Sequence, residues 1–103
     1  MKVIIDKKVQ TSIQDFYDAA MERHITLSYT SVIDKMNRLY DSLEDLGKIP
    51  SLYAKSRLKE DWVKAGWREY ICEDFHFAYE ICTDDDSEDY VWVHDAVHSL
   101  LYY

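Results

Sequence analysis

Glycine and proline are nearly missing: two glycines and one proline in 103 residues. So few turn formers leave room for few loops, and the elements must be long for the chain. With two glycines there is no glycine-rich phosphate loop, which excludes Walker-type and dinucleotide-binding fingerprints. Long apolar runs are missing too. No segment reaches bilayer-spanning length, and Met1 to Lys8 has no run of signal-peptide length, so a soluble, cytoplasmic protein with no membrane partner is expected. Cysteine is limited to Cys72 and Cys82. If Glu73-Asp74 is a hairpin turn, Cys72 lies opposite Phe75 and Cys82 stands far up the partner strand. At about 3.3 Å per residue the two thiols cannot bridge. Neither sits at a helix start with a basic neighbour, so neither reads as a nucleophile.

Positive charge is scarce as well. Twelve Lys and Arg face twenty Asp and Glu, a net charge of −8, which argues against general nucleic-acid binding. Five of the twelve cations, Lys55, Arg57, Lys59, Lys64 and Arg68, nevertheless crowd one stretch. One basic face on an acidic body is the expectation, with an ordinary solvated loop as its plain alternative. Imitation of DNA by the acidic surface is a further idea that rests on net charge alone.

What is abundant is apolar and aromatic: 48% and 15%, with nine tyrosines. That suffices for one core in one domain spanning residues 1–103. Residues 2–6 read as a strand. Thr11 and Gln14 form a capping box, and Ile13, Phe16, Tyr17, Ala20 and Met21 place one stripe on a helix from about 12 to 23. Tyr29, Val32, Met36, Leu39, Leu43 and Leu46 predict a second helix, with Gly47 as its left-handed cap and Pro50 preventing continuation. Residues 9–47 therefore form a helical hairpin whose apolar face needs a sheet, a coiled-coil partner being the competing use. Residues 51–65 have no period and read as a loop with at most a turn of helix.

The last third reads as three antiparallel strands: Gly66 to Cys72, residues 75–82, and Tyr90 to His94, the last two joined by the acidic turn Asp84 to Asp89. In 75–82, Phe75, Phe77, Tyr79 and Ile81 point toward the helices, and His76, Ala78, Glu80 and Cys82 point away. Residues 96–103 either extend the last strand or curl over the sheet. The fold class is α+β.

His94 and His98, spaced i, i+4, invite a metal reading, but on a strand they stand about 13 Å apart and cannot share an ion. The Asp84, Asp86, Glu88 spacing lacks the glycine and distal glutamate of a calcium loop. No metal and no cofactor is expected.

The order strand, helix, helix, strand, strand, strand resembles the RelE/ParE toxin superfamily. The specific part is Asp74-Phe75-His76-Phe77-Ala78-Tyr79-Glu80-Ile81, similar to that family's Asp-Tyr-Arg-apolar-apolar-Tyr-Glu-Ile, together with Val97-His98-Ser99 and Tyr103. The resemblance implies a toxin held by a cognate antitoxin protein, acting as a metal-independent endoribonuclease on ribosome-bound mRNA or as an inhibitor of a protein target such as gyrase. Carried over, the family's arginines fall on His76 and Ser99, its late tyrosine on Tyr103 or Tyr102, and its basic loop on Lys55, Arg57 and Lys59.

RNA cleavage by a 2′-hydroxyl needs a base, a cation for the phosphorane and an acid for the leaving oxygen. His76, His98 and Tyr103 are the acid-base candidates, and Lys55, Arg57, Lys59 and Arg68 the phosphate-binding ones. The loss of two arginines removes bidentate clamps. The alternative is a non-catalytic, acidic protein-binding domain that keeps the toxin fold. For His76 taken alone, the plain reading is a half-exposed strand residue beside Ile71 and Glu69.

Overall fold

The computed structural model describes residues 1–23 and 28–102. Strand β1 (Lys2–Ile5) leads into α1 (Lys7–Arg23) and α2 (Tyr29–Asp45), then two 3-10 turns, Leu46–Lys48 and Pro50–Leu52, and a short helix α3 (Glu60–Ala65). Strands β2 (Arg68–Cys72), β3 (Phe75–Thr83) and β4 (Asp89–His98) follow, and α4 (Ser99–Tyr102) closes the described chain. The sheet order is β1-β4-β3-β2, with β1 parallel to β4 and the other pairs antiparallel. This is the α+β layout expected, a helical hairpin on one face of a sheet that the N-terminal strand completes.

Helix α1 begins five residues earlier than the capping box suggested. Its start is fixed by Asp6, whose Oδ1 accepts from Lys8 N at 2.9 Å. The early start brings Val9 into the core with Ile13 and Tyr17. Helix α2 is capped by Ser28, whose Oγ accepts from Ser31 N, and buries Val32, Leu39 and Leu43. Tyr29 was expected on that stripe, but it lies in the first turn and is 69% exposed.

Gly47 is not a left-handed cap, because α2 runs straight into a 3-10 turn there. Glycine is needed for another reason: a Cβ at 47 would collide with the Met1 carbonyl and approach Val3 Cγ2 to 2.9 Å. The left-handed glycine is Gly66, φ 71°, which ends α3.

Phe75, Phe77 and Tyr79 of β3 face the helices and are fully buried, packing with Val91 and Val93 of β4 into the main core. Ile81 shares that face but lies toward the hairpin tip and is partly exposed. The Tyr79 hydroxyl donates to the Pro50 carbonyl, and burial pushes its pKa up to about 12. Both residues of the Glu73-Asp74 turn have positive φ, 50° and 65°, the geometry of a two-residue hairpin whose twist matches its strands. Cys72 pairs with Phe75, as the turn requires, and both cysteines are free.

Residues 51–65 hold more structure than a loop. Trp62 of α3 is fully buried and donates from Nε1 to Asp95 Oδ2 at 2.9 Å, so a second, smaller core forms on the face turned away from α1 and α2. Ala78, paired with Asp95, is fully buried on that side.

Candidate functional site

Two strands and the start of α4 converge at His76. A two-residue turn pairs Ile71 with His76 and Glu69 with Ala78, so Glu69 and His76 are diagonal neighbours on the second face of the sheet. His76 Nδ1 lies 3.0 Å from Glu69 Oε2 and Nε2 lies 3.0 Å from Ser99 Oγ. A carboxylate only accepts, so it fixes the hydrogen of the neutral ring on Nδ1 and turns Nε2 toward Ser99 as an acceptor.

Glu69 is fixed in turn. Ser56, buried, donates to its Oε1 at 2.7 Å, and the main chain of 54–56 lies along β2, with Glu69 N on Ala54 O and Ser56 N on Trp67 O. Ser99 is anchored to the hairpin turn, since its N–H and its hydroxyl each donate to Asp74 O at 2.9 Å, and the hydroxyl's single proton serves that carbonyl or Nε2, one at a time. The two positions where the resemblance puts arginines, His76 and Ser99, are thus bonded to each other. Glu69, placed beside His76 by the sequence pattern but not in the candidate set, and Ser56 complete the chain of contacts.

The expected catalytic set does not assemble. His98 lies on the opposite face of the sheet from His76, and the cause is a bulge. Tyr79 pairs with Val93 and Ala78 with Asp95, so His94 is left over. Strict alternation from Trp92 would carry residue 98 to the face of His76; the extra residue turns Ala96 and His98 to the helices instead. There the imidazole stacks on Phe16 at 3.8 Å and is buried, its Nδ1 accepts from Leu100 N at 3.1 Å, and it borders an apolar cavity of about 450 Å³ with Phe16, Ala20 and Leu100. Burial lowers its pKa. Tyr103 lies outside the described residues.

The four phosphate-binding candidates also part ways. Lys55 Nζ donates to Gly66 O and Arg68 Nη1 to Tyr53 O, both at 2.6 Å. Lys59 lies 3.7 Å from the Asp95 carboxylate and over the Trp62 ring. Arg57 is exposed and has no ion pair among the described residues. Lys55, Ser56, Arg57 and Glu69 line one open cleft of about 740 Å³, which brings the Glu69 side of the His76 pair together with the one disengaged cation of the set.

The bulge residue His94 builds a separate cluster. Its ring is sandwiched between Trp67 at 4.3 Å and Trp92 at 4.4 Å, and Glu80 gathers the edge of the stack, accepting from Trp67 Nε1 at 2.8 Å and from Cys82 Sγ. The Cys82 and Trp67 hydrogen bonds, with His94 beside them, hold the Glu80 carboxyl below its ordinary pKa. Burial, helped by the same carboxylate, pushes the Cys82 thiol up to about 11. His94 and His98, on opposite faces, cannot act as one ligand pair, and no cluster of three metal-ligating side chains occurs among the described residues.

No protein-family model matches the chain, and no curated protein matches it. No helix among the described residues is long and apolar enough to cross a membrane.

Proposed function

We propose that the chain is a RelE/ParE-like toxin, cytoplasmic and held by a cognate antitoxin protein, which cleaves ribosome-bound mRNA without a metal at the His76 site. The observation that carries this reading is the Glu69–His76 pair, 3.0 Å apart, beside a cleft that also holds Lys55 and Arg57. A substrate 2′-hydroxyl taking the place of Ser99 Oγ at Nε2 would give its proton to the ring while Glu69 stabilises the imidazolium, and Arg57, in the cleft on the Glu69 side, would hold the RNA backbone.

Controlled expression, with growth, translation and the ends of ribosome-bound transcripts measured, tests it. Cleaved transcripts are expected, and His76→Ala should slow cleavage by roughly 10²- to 10⁴-fold, the usual loss when an acid-base group is removed. Unchanged growth and intact transcripts in wild type would end the nuclease reading.

A second reading is favoured by one observation: Lys55, Lys59 and Arg68 are engaged within the chain. A toxin-fold domain with its cations occupied and a net charge of −8 fits a non-catalytic acidic binding protein whose partner carries a basic patch. A tight protein complex recovered without any transcript cleavage would select it.

A further inference from the structure

Glu69, His76 and Ser99 stand in the order and spacing of an activated-serine relay. Carboxylate to Nδ1 is 3.0 Å and Nε2 to hydroxyl is 3.0 Å, inside the reach that general-base activation of a serine requires. The relay is recognised by geometry and roles, and chain order does not matter to it. Its supports are stiff: Ser56 holds the far oxygen of Glu69 and the β2–β3 ladder holds both partners, while the Ser99 hydroxyl, which donates to Asp74 O, brings its proton to Nε2 by turning about its C–O bond. Ser99 is half-buried, so a reagent can reach it.

The two N–H groups next to the Ser99 hydroxyl are engaged. A turnover site needs N–H groups free to bind the oxyanion. Here Ser99 N is bonded to Asp74 O and Leu100 N to His98 Nδ1. The same lack slows acylation, so only donors with a good leaving group react, and the resulting ester, whose leaving group is the poorer serine alkoxide, would persist.

The geometry points to Ser99 as a covalent modification site, esterified by activated acyl donors of the ester or thioester class. In this step Ser99 Oγ attacks the acyl carbon and the bond from that carbon to the leaving oxygen or sulfur breaks. The serine proton passes to His76 Nε2 and from there to the leaving group. An acyl group on Ser99 would also occupy the space in front of Nε2, so modification closes the His76 site to any other hydroxyl. The inference stands apart from the RNA reading, because its readout uses neither RNA nor ribosomes.

The test is to incubate the full chain with p-nitrophenyl acetate and follow intact mass and peptide maps. One stable acetyl group on Ser99 is expected, formed faster than on any other serine. The preference should vanish when the protein is unfolded in urea. Ser99→Ala should remove the adduct. His76→Asn, with its fold checked by circular dichroism, should slow it on the order of tenfold or more, and Glu69→Gln should slow it as well. Absence of a Ser99 ester in the folded wild type, or an unchanged rate in folded His76→Asn, overturns the proposal.

Discussion

His98 illustrates how one misplaced ring changes what a residue can do. Its ordinary pKa of 6.5 is lowered chiefly by burial, with Asp74 opposing and the neighbouring His76 and Lys35 adding to the effect. The folded chain therefore takes up the His98 proton less readily than the unfolded chain. Stability owed to the neutral ring is present above the ordinary pKa and is lost as pH falls through the lower folded value. Urea unfolding at a pH of about 7.5 and again at about 5.5 should show the wild type losing more stability on acidification than His98→Phe, and equal losses would refute this. The other histidine was easier to read. His76 and its neighbour Glu69 follow from period-two alternation and a two-residue turn, and the structure gives that pairing a hydrogen bond. The face taken by His98 was not legible, because a bulge at His94 reverses every side chain beyond it and alternation alone carries no mark of that extra residue.

Short elements were the hardest to see. Helix α2 was legible because its stripe runs for several turns, whereas α3 has six residues, too few to display a 3.6-residue period. Yet α3 positions Trp62, which closes the second face by reaching the buried Asp95. Asp95 also draws Lys8 of α1 to 3.6 Å and Lys59 to 3.7 Å. Both lysines are partly or largely solvated, which weakens their contribution, so the buried indole bond is the stronger tie. Trp62→Phe, which keeps most of the ring volume and deletes the donor, is expected to cost about 1–3 kcal/mol. Urea midpoints at neutral pH measure the loss, and an unchanged midpoint would show that the bond is dispensable. The start of α1 was missed for a related reason, since Asp6 caps the helix without a glutamate or glutamine three residues on, and the more conspicuous Thr11-Gln14 pair drew the boundary inward.

For the molecule as a whole, the order of elements and the helical hairpin on a sheet were readable from hydrophobic pattern, while the engagement of the basic residues was not, because it depends on two carbonyls and the Asp95 carboxylate that meet them only after folding. Binding of single-stranded RNA to the cleft should therefore depend weakly on salt. Four free cations would give a slope of log affinity against log salt near about −3, and Arg57 alone gives about −0.7. Fluorescence anisotropy across moderate salt separates the two, and a slope as steep as the first would mean that Lys55, Lys59 and Arg68 release their partners on binding. The parallel pairing of β1 with β4 joins residue 2 to residue 90. During synthesis, the first strand has no partner until nearly the whole described chain has left the ribosome. The hairpin of β2 and β3 can close locally much earlier, but the sheet is finished last at its N-terminal edge, a high-contact-order step that slows maturation. A nascent chain therefore waits, with α1 and α2 lacking their full platform, and a protein that binds it at that stage would meet an apolar helical surface hidden in the finished fold.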